Sequence, residues 1–198
     1  IFDGTSAMTI FNTSNSDLPH NQIYSIYSYE NDQYLIGTDA GLIIFDGTSA
    51  MTIINTSNSD LPHNEVRTIY SYENDQYLIG TENGGLAIFD GTSAMTIFND
   101  SNSDLPANYI RTIYSYVNDQ YLIGTDGGGL AIFDGTSAMT IFNESNSELP
   151  ANYVYSIYSY VNDQYLIGTQ GGGLVIFDGT STMTVYDKDN SNLPEIKG

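Results

Sequence analysis

The chain contains no cysteine and no tryptophan, and only four of its 198 residues are lysine or arginine. Without cysteine, neither a disulfide bond nor a thiolate metal site can form. The charge is strongly one-sided, because 24 acidic residues give a formal net charge of −20. Nucleic acids and anionic membranes bind proteins through lysine and arginine placed against phosphates. We therefore predict no nucleic-acid partner for this chain.

The sequence also lacks long apolar runs and the common catalytic motifs. No apolar run approaches the 18 residues of a membrane-spanning helix, so we predict no membrane insertion. No nucleophile elbow, zinc-protease motif, phosphate-binding loop or dinucleotide fingerprint is present. The two histidines have no aspartate and nucleophile at a suggestive spacing. We predict a non-enzymatic protein with no catalytic residue, no metal site and no cofactor.

The sequence consists of near-identical repeats. The tetrapeptide Ile-Phe-Asp-Gly recurs at intervals of 43, 44, 44 and 44 residues, beginning at Ile1, Ile44, Ile88, Ile132 and Ile176. The prolines repeat the same intervals, at Pro19, Pro62, Pro106, Pro150 and Pro194. A fixed period of this length indicates a solenoid or a propeller. The chain opens inside a repeat and without methionine, so we expect a mature fragment whose targeting signal is not visible.

Each repeat reads as four short strands. In residues 110–142, β-branched and aromatic segments at 110–117, 121–125, 130–133 and 138–142 are separated by Asn-, Asp- and Gly-rich turns. We label these strands A to D. The Gly and Pro spacing leaves no room for a helix. Four antiparallel strands per 44 residues, joined by three tight turns and one longer loop, predict an all-β fold, a β-propeller of four-stranded blades.

The residues "NDQYLIGTDGGGLAIFD" (118–134) resemble the two-component regulator propeller repeat, and so does Leu-Pro-x-Asn before strand A. The resemblance recurs in every repeat. One position departs, since the family's tryptophan is leucine here, at Leu35, Leu78, Leu122 and Leu166. The resemblance implies a sensor-type propeller with an extracellular or periplasmic location. No kinase or receiver segment accompanies it in this chain.

The repeat arithmetic gives four whole blades and one incomplete blade. We place them at 1–22 (an orphan half-blade with its D–A loop), 23–65, 66–109, 110–153 and 154–198 (with the C-terminal tail). The last repeat has drifted, which is typical of a terminal repeat, so we expect the chain to end there. Four blades close poorly, so we expect a homodimer whose two chains close one ring of eight. A monomeric ring or an arc of a longer propeller is the alternative.

Differences between the repeats gather at one rim of the predicted propeller. The loop entering strand A and the B–C loop both vary, and both connect strands at the same end of the blade. Variable loops on a rigid scaffold are where binding sites usually lie. We predict a ligand site at this mouth of the channel, formed by Tyr24, Arg67, Arg111 and Tyr155 with Glu65, Tyr109 and Tyr153 beside them.

Three interpretations of this rim remain open. Arginines could bind an anionic group, and tyrosines could bind a sugar, a peptide or another small molecule. In that case the protein is a binding or sensing module. Against this, Arg67 and Arg111 could merely pair with Glu65, Glu82 or Asp126 on the surface. The second possibility for the chain is a structural, recently amplified or engineered propeller that assembles with itself. A multivalent lectin with equivalent pockets between blades is the third possibility.

Overall fold

The computed structural model describes residues 9–49 and 51–191, which form four sheets of four antiparallel strands. The first sheet comprises β1 (Ile23–Ser28), β2 (Tyr34–Thr38), β3 (Gly41–Phe45) and β4 (Met51–Ile54). The second comprises β5 (Val66–Ser71), β6 (Tyr77–Thr81), β7 (Leu86–Phe89) and β8 (Thr96–Phe98). The third comprises β9 (Ile110–Ser115), β10 (Tyr121–Thr125), β11 (Leu130–Phe133) and β12 (Thr140–Phe142). The fourth comprises β13 (Val154–Ser159), β14 (Tyr165–Thr169), β15 (Gly173–Phe177) and β16 (Thr184–Tyr186).

In each sheet the strands lie side by side in chain order, from A to D, and every neighbouring pair is antiparallel. This confirms the predicted four-stranded propeller blade. We refer to the sheets as blades 1 to 4. Strands A and D are shorter than predicted, since the third copies run over Ile110–Ser115 and Thr140–Phe142. No helix among the described residues is long and apolar enough to cross a membrane.

The turns follow from residue chemistry. At the A–B turn, Asn118 and Asp119 both have positive φ, 55° and 59°, and the Gln120 N–H donates to the Val117 carbonyl at 3.3 Å. Two successive positive φ values define a tight hairpin turn that Asn and Asp tolerate well. At the B–C turn, Gly129 has φ of 91° and its backbone lies against the Phe142 carbonyl, where no side chain fits. Turn sequence therefore sets the hairpin geometry.

The hydrophobic core lies between successive blades. Between blades 2 and 3, one layer comes from Leu78, Leu86 and Phe98 and the facing layer from Ile113, Ile123 and Phe133. The same arrangement joins blade 1 to blade 2 and blade 3 to blade 4. Burial of each large apolar side chain stabilises the fold by about 1.5–3 kcal/mol. A blade is therefore stabilised mainly by the blades on either side of it.

The four blades form a row with two exposed end faces. The A strands β1, β5, β9 and β13 neighbour one another along one edge, which is the inner edge of the row. Ile26 of blade 1 is 65% exposed, whereas its copies Ile69 and Ile113 are 5% and 4% exposed. At the other end, Tyr158 of blade 4 is 67% exposed. Closure of the row by a second chain stays a prediction.

Residues 9–21 lie against blade 1. Phe11 packs edge-on against Phe45, with ring centroids 5.2 Å apart, and Leu18 joins the same cluster. Phe98 packs in the same way on Phe133, at 4.9 Å. This segment therefore takes the place of a preceding D strand. The other part of the predicted half-blade, residues 1–8, and the predicted tail, residues 192–198, lie outside the described residues.

Candidate binding site

The D–A loop and the B–C loop of neighbouring repeats meet at one rim of the row. The backbone N–H groups of Glu82, Asp126 and Gln170 each donate, at 3.0 Å, to the carbonyl that precedes strand A of the same blade. Asp126 also forms an isolated antiparallel bridge with Tyr153 of the next blade. Both variable loops therefore contribute to one continuous surface.

A β-bulge on each A strand aims one side chain at this rim. The pairing of strand A with strand B skips one residue in every blade, and the skipped residues are Tyr24, Arg67, Arg111 and Tyr155. A bulge leaves the extra residue outside the ladder and redirects its side chain. The same local irregularity thus places the four variable residues at equivalent positions on the inner edge.

These side chains stack into an alternating ladder across all four blades. The Arg67 guanidinium carbon lies 3.8 Å from the ring centroid of Tyr24 and 5.4 Å from that of Tyr109. The Arg111 guanidinium carbon lies 4.1 Å from the Tyr109 centroid and 4.6 Å from the Tyr155 centroid. Each arginine is therefore held between two aromatic rings, in contacts worth about 0.5–2 kcal/mol each. We call these five residues the Tyr–Arg ladder.

Each bulge residue also forms a hydrogen bond or ion pair with the first residue of the B–C loop in its own blade. The Tyr24 hydroxyl donates to Asp39 at 2.8 Å, and the Tyr155 hydroxyl donates to Gln170 at 2.6 Å. Arg111 Nε donates to Asp126 Oδ2 at 2.8 Å, and its Nη2 contacts the same oxygen. The ladder is thus anchored to the variable B–C loops.

Arg67 is more enclosed than Arg111, the other arginine of the ladder. It pairs with Glu65 at 2.6 Å and also with Glu82, and its side chain is only 17% exposed. Both arginines are therefore neutralised by carboxylates, as the surface-pairing alternative for Arg67 and Arg111 expects. The rim is not a free positive patch, since Arg67 pairs with Glu65 and Glu82, and Arg111 pairs with Asp126. A fourth carboxylate of the rim, Asp39, accepts from Tyr24.

The protonation behaviour agrees with these contacts. Burial of the Arg111 guanidinium lowers its pKa, but the hydrogen bond to Asp126 and the electrostatic interactions with Tyr109, Asp126 and Tyr155 together outweigh burial, so the pKa of Arg111 is raised. Partial burial and the hydrogen bond to Asp39 raise the pKa of Tyr24. These contacts therefore favour the cationic form of Arg111 and the protonated form of Tyr24.

The structure brings together six of the seven predicted site residues. Tyr24, Arg67, Tyr109, Arg111 and Tyr155 form the ladder, and Glu65 pairs with Arg67. Tyr153 lies on the same rim, and 44% of it is exposed. Its side chain makes no ring contact with the ladder among those found in residues 9–49 and 51–191.

Four residues belong to the site but were not among the predicted ligand contacts, namely Asp39, Glu82, Asp126 and Gln170. A signal for them exists in the repeats. In every repeat the first residue of the B–C loop (Asp, Glu or Gln) carries a side-chain acceptor, and the bulge residue of strand A (Tyr or Arg) carries a side-chain donor. Within the described residues no group of three or more His, Asp or Glu side chains could hold a metal ion.

Solved structures with the same fold support the resemblance noted in the sequence. The extracellular domain of the putative hybrid two-component system BT3049 from B. thetaiotaomicron is 27% identical, with a TM-score of 0.76 over 87% of this chain and 24% of that one. The corresponding domain of BT4673 from the same organism is 19% identical, with a TM-score of 0.76 over 91% of this chain and 27% of that one. These matches confirm the likeness to two-component regulator propellers.

A more distant neighbour shows the fold alone. Streptogramin B lyase is 13% identical, with a TM-score of 0.66 over 87% of this chain and 56% of that one. No protein-family model and no curated protein sequence matches the chain. The chain spans about a quarter of the length of the B. thetaiotaomicron domains.

Proposed function

We propose that the chain is a non-enzymatic sensing module of an extracellular or periplasmic protein, and that it binds its ligand at the rim that carries the Tyr–Arg ladder. The likeness to extracellular domains of two-component systems supports the sensing role. The ladder supports the location, because its members differ from repeat to repeat while the surrounding blade stays nearly constant. A rigid scaffold with adapted rim residues is the usual design of a binding site.

The charges of the rim select the kind of ligand. Two arginines stand among four carboxylates, so an anion would have to displace existing ion pairs. A neutral ligand rich in hydroxyl groups fits better, because it can accept from guanidinium and donate to carboxylate oxygens. Tyr155 and Tyr153, 40% and 44% exposed, are aromatic rings still open to solvent. We therefore favour a neutral sugar over a peptide or another small molecule.

The test is a binding screen with neutral mono- and oligosaccharides, followed by NMR and calorimetry on the complete chain. We expect saturable binding of one ligand per row, with shift changes confined to the ladder and its B–C loops. Tyr155→Ala should weaken binding about tenfold, or about 1.4 kcal/mol. Tyr186→Ala is the matched control, since Tyr186 is 39% exposed on the outer strand β16 and far from the ladder in the blade order.

Two results would reject this proposal. One is the absence of any saccharide that binds more tightly to the unchanged chain than to Tyr155→Ala. The other is binding of several ligands per chain, with equivalent substitutions in each blade weakening ligand binding equally. That is the behaviour of a lectin with sites between blades.

A further inference from the structure

The three internal blade junctions use one repeated aromatic contact. Between blades 2 and 3, Tyr70 lies 6.2 Å from Tyr121, and Tyr72 lies 5.3 Å from Tyr121 and 6.3 Å from Phe133, measured between ring centroids. The other two junctions repeat these distances within a few tenths of an ångström, through the pairs Tyr27–Tyr77, Tyr29–Tyr77, Tyr29–Phe89, Tyr114–Tyr165, Tyr116–Tyr165 and Tyr116–Phe177. The internal junctions therefore show which aromatic residues pack against each face of a blade.

Blade 4 carries the two A-strand tyrosines of this contact, but no following blade packs against them. Tyr158 and Tyr160 stand at the positions of Tyr114 and Tyr116, and they are 67% and 45% exposed. Beneath them, Leu166 and Leu174 are partly exposed, although their copies in blades 1 to 3 are fully buried. The back of blade 4 is thus an interblade face open to solvent.

Blade 1 carries the opposite face of this contact, with the B-strand tyrosine and the C-strand phenylalanine. Tyr34 stands at the position of Tyr121 and is 44% exposed, against 8% for Tyr121. Ile23 and Ile26, at the positions of Ile110 and Ile113, are exposed as well. The outer part of this face is already covered by Phe11 and Leu18, whereas the inner part is open.

The glycines show that the two end faces are complementary in shape. A side chain at Gly135 would meet the Tyr72 hydroxyl at 2.5 Å, whereas Gly47 has no atom within 4 Å of the same point. A side chain at Gly124 would meet Val154 Cγ1 at 2.6 Å, whereas Gly168 meets only Ser156 of its own blade. Each end face therefore has open space where the other end face carries a side chain, Tyr160 in one case and Ile23 in the other.

We propose that the back of blade 4 binds the front of blade 1 of a second copy of this chain, head to tail. The interface reproduces the internal junctions, with Tyr158 and Tyr160 of one copy against Tyr34 and Phe45 of its partner. An interface between two different faces closes into a ring when its rotation allows closure. Two copies with both junctions formed give the eight-bladed ring.

The outer edge decides which strand completes the joined blade. Phe11 of one copy and Tyr186 at the end of β16 of the other both face the same Phe45 position, because Phe142, the copy of Tyr186 in blade 3, packs on Phe177 at 4.9 Å. Phe11 already makes this contact, and Tyr186 is 39% exposed. We assign the packing position on Phe45 to Phe11. The segment that carries Phe11 therefore displaces β16 of the other copy from its position beside β15 when two copies dock.

The test uses cysteine cross-linking, since the chain has no cysteine of its own. One variant carries Gly168→Cys with Ser156→Ala, which removes the hydroxyl that the new side chain would meet. The other carries Ile23→Cys. Because the Cβ position of Gly124 lies against Val154 in the internal junction, the two new thiols should meet only across a head-to-tail interface. We expect the mixed variants to form a disulfide-linked dimer under mild oxidation, while each variant alone stays monomeric on a non-reducing gel.

A second substitution checks that the tyrosine face drives the association. Tyr158→Ser added to the Gly168→Cys variant should lower the yield of cross-linked dimer about tenfold, as expected for the loss of a central aromatic anchor. Tyr153→Ser is the control, because Tyr153 is also an exposed tyrosine, 44% against 67% for Tyr158, but it bridges towards blade 3. The proposal is overturned if the mixture of folded variants gives no dimer, if either variant cross-links with itself, or if the two serine substitutions act alike.

Discussion

At the scale of single residues, one glycine position reports how closely the blades pack. Gly124 of β10 lies against Thr112 of its own blade and Val154 of the next, and an added Cβ would approach both at 2.6 Å. Its copy in blade 4, Gly168, has no following blade against it. Glycine is therefore needed for close interblade packing at position 124 but not at position 168 of a single chain.

Gly124→Ala should therefore lower the free energy of unfolding by about 1–3 kcal/mol, the usual cost of overpacking a core. Gly168→Ala should cost clearly less in the monomer, because the added Cβ would crowd only the Ser156 hydroxyl, which can rotate about its Cα–Cβ bond. Urea unfolding of both variants, at a protein concentration low enough to keep single chains, measures the difference. Equal losses would show that the glycines are needed for the strand itself and not for the junction.

The ladder makes a second prediction at this scale. Arg111→Ala removes the partner of Asp126, whose side chain is 18% exposed, together with two aromatic contacts. We expect a loss of about 1–3 kcal/mol in the free energy of unfolding, since a partly buried carboxylate is left unpaired. Lys188→Ala is the control, because Lys188 and Asp189 are 56% and 78% exposed. Such exposed pairs contribute about 0–1 kcal/mol. Thermal or urea unfolding that ranks the two variants equally contradicts this reading of Arg111.

Variation among near-identical repeats identified the rim residues but not their contacts. Tyr24, Arg67, Arg111 and Tyr155 stand out because the repeats differ there. Their stacking depends on a β-bulge that the strand pattern does not reveal, since a bulge adds one residue without changing its chemistry. The acidic partners, such as Asp126, are also typical turn residues, and that role hides them in sequence.

At the scale of elements, the C–D turn is held by an aspartate and a threonine. The Thr136 hydroxyl and backbone N–H both donate to Asp134 Oδ1, at 2.7 and 3.0 Å. These hydrogen bonds, the hydroxyl first, lower the pKa of Asp134 below its ordinary value of 3.8. The other three described blades repeat the arrangement at Asp46, Asp90 and Asp178.

A lowered pKa in the folded state adds stability above the unfolded pKa. That contribution is lost as the pH falls from about 3.9 through the folded pKa. Thr136→Val should raise the pKa of Asp134 towards its ordinary value and shift the midpoint of acid unfolding to higher pH. Carbon-13 NMR titration of the Asp134 carboxyl measures the first effect. Thr140→Val, on an exposed position of β12, should change neither value, and an unmoved Asp134 pKa in the Thr136 variant would contradict the assignment.

Strand identity followed from sequence because turns and β-branched runs alternate in every repeat. The strand ends are harder to predict. The residue pattern predicts strand A of blade 3 up to residue 117, but its pairing stops where Ser115 faces Tyr121. Beyond it the Tyr116 N–H donates to the Gln120 carbonyl and closes the turn. Residues that close a hairpin share the composition of the strand, so composition alone cannot mark the boundary.

At the scale of the whole molecule, the row of blades has two unsatisfied faces and a large negative charge. Repetition made the blade count readable from sequence, but exposure of the end faces depends on which blades are neighbours in space. The charge of −20 opposes association of two copies, whereas the aromatic end faces favour it. Salt screens charges beyond about 8 Å at 0.15 M ionic strength. We expect association to strengthen from low to physiological salt.

The head-to-tail ring is tested most directly by the mass of the 198-residue chain in solution, measured by light scattering after gel filtration at two protein concentrations and 0.15 M salt. We expect a species of twice 21.7 kDa that reverts to 21.7 kDa in Tyr158→Ser and persists in Tyr153→Ser. A compact 21.7 kDa species for the unchanged chain at both concentrations would contradict it, since the exposed end faces would then have no affinity for each other.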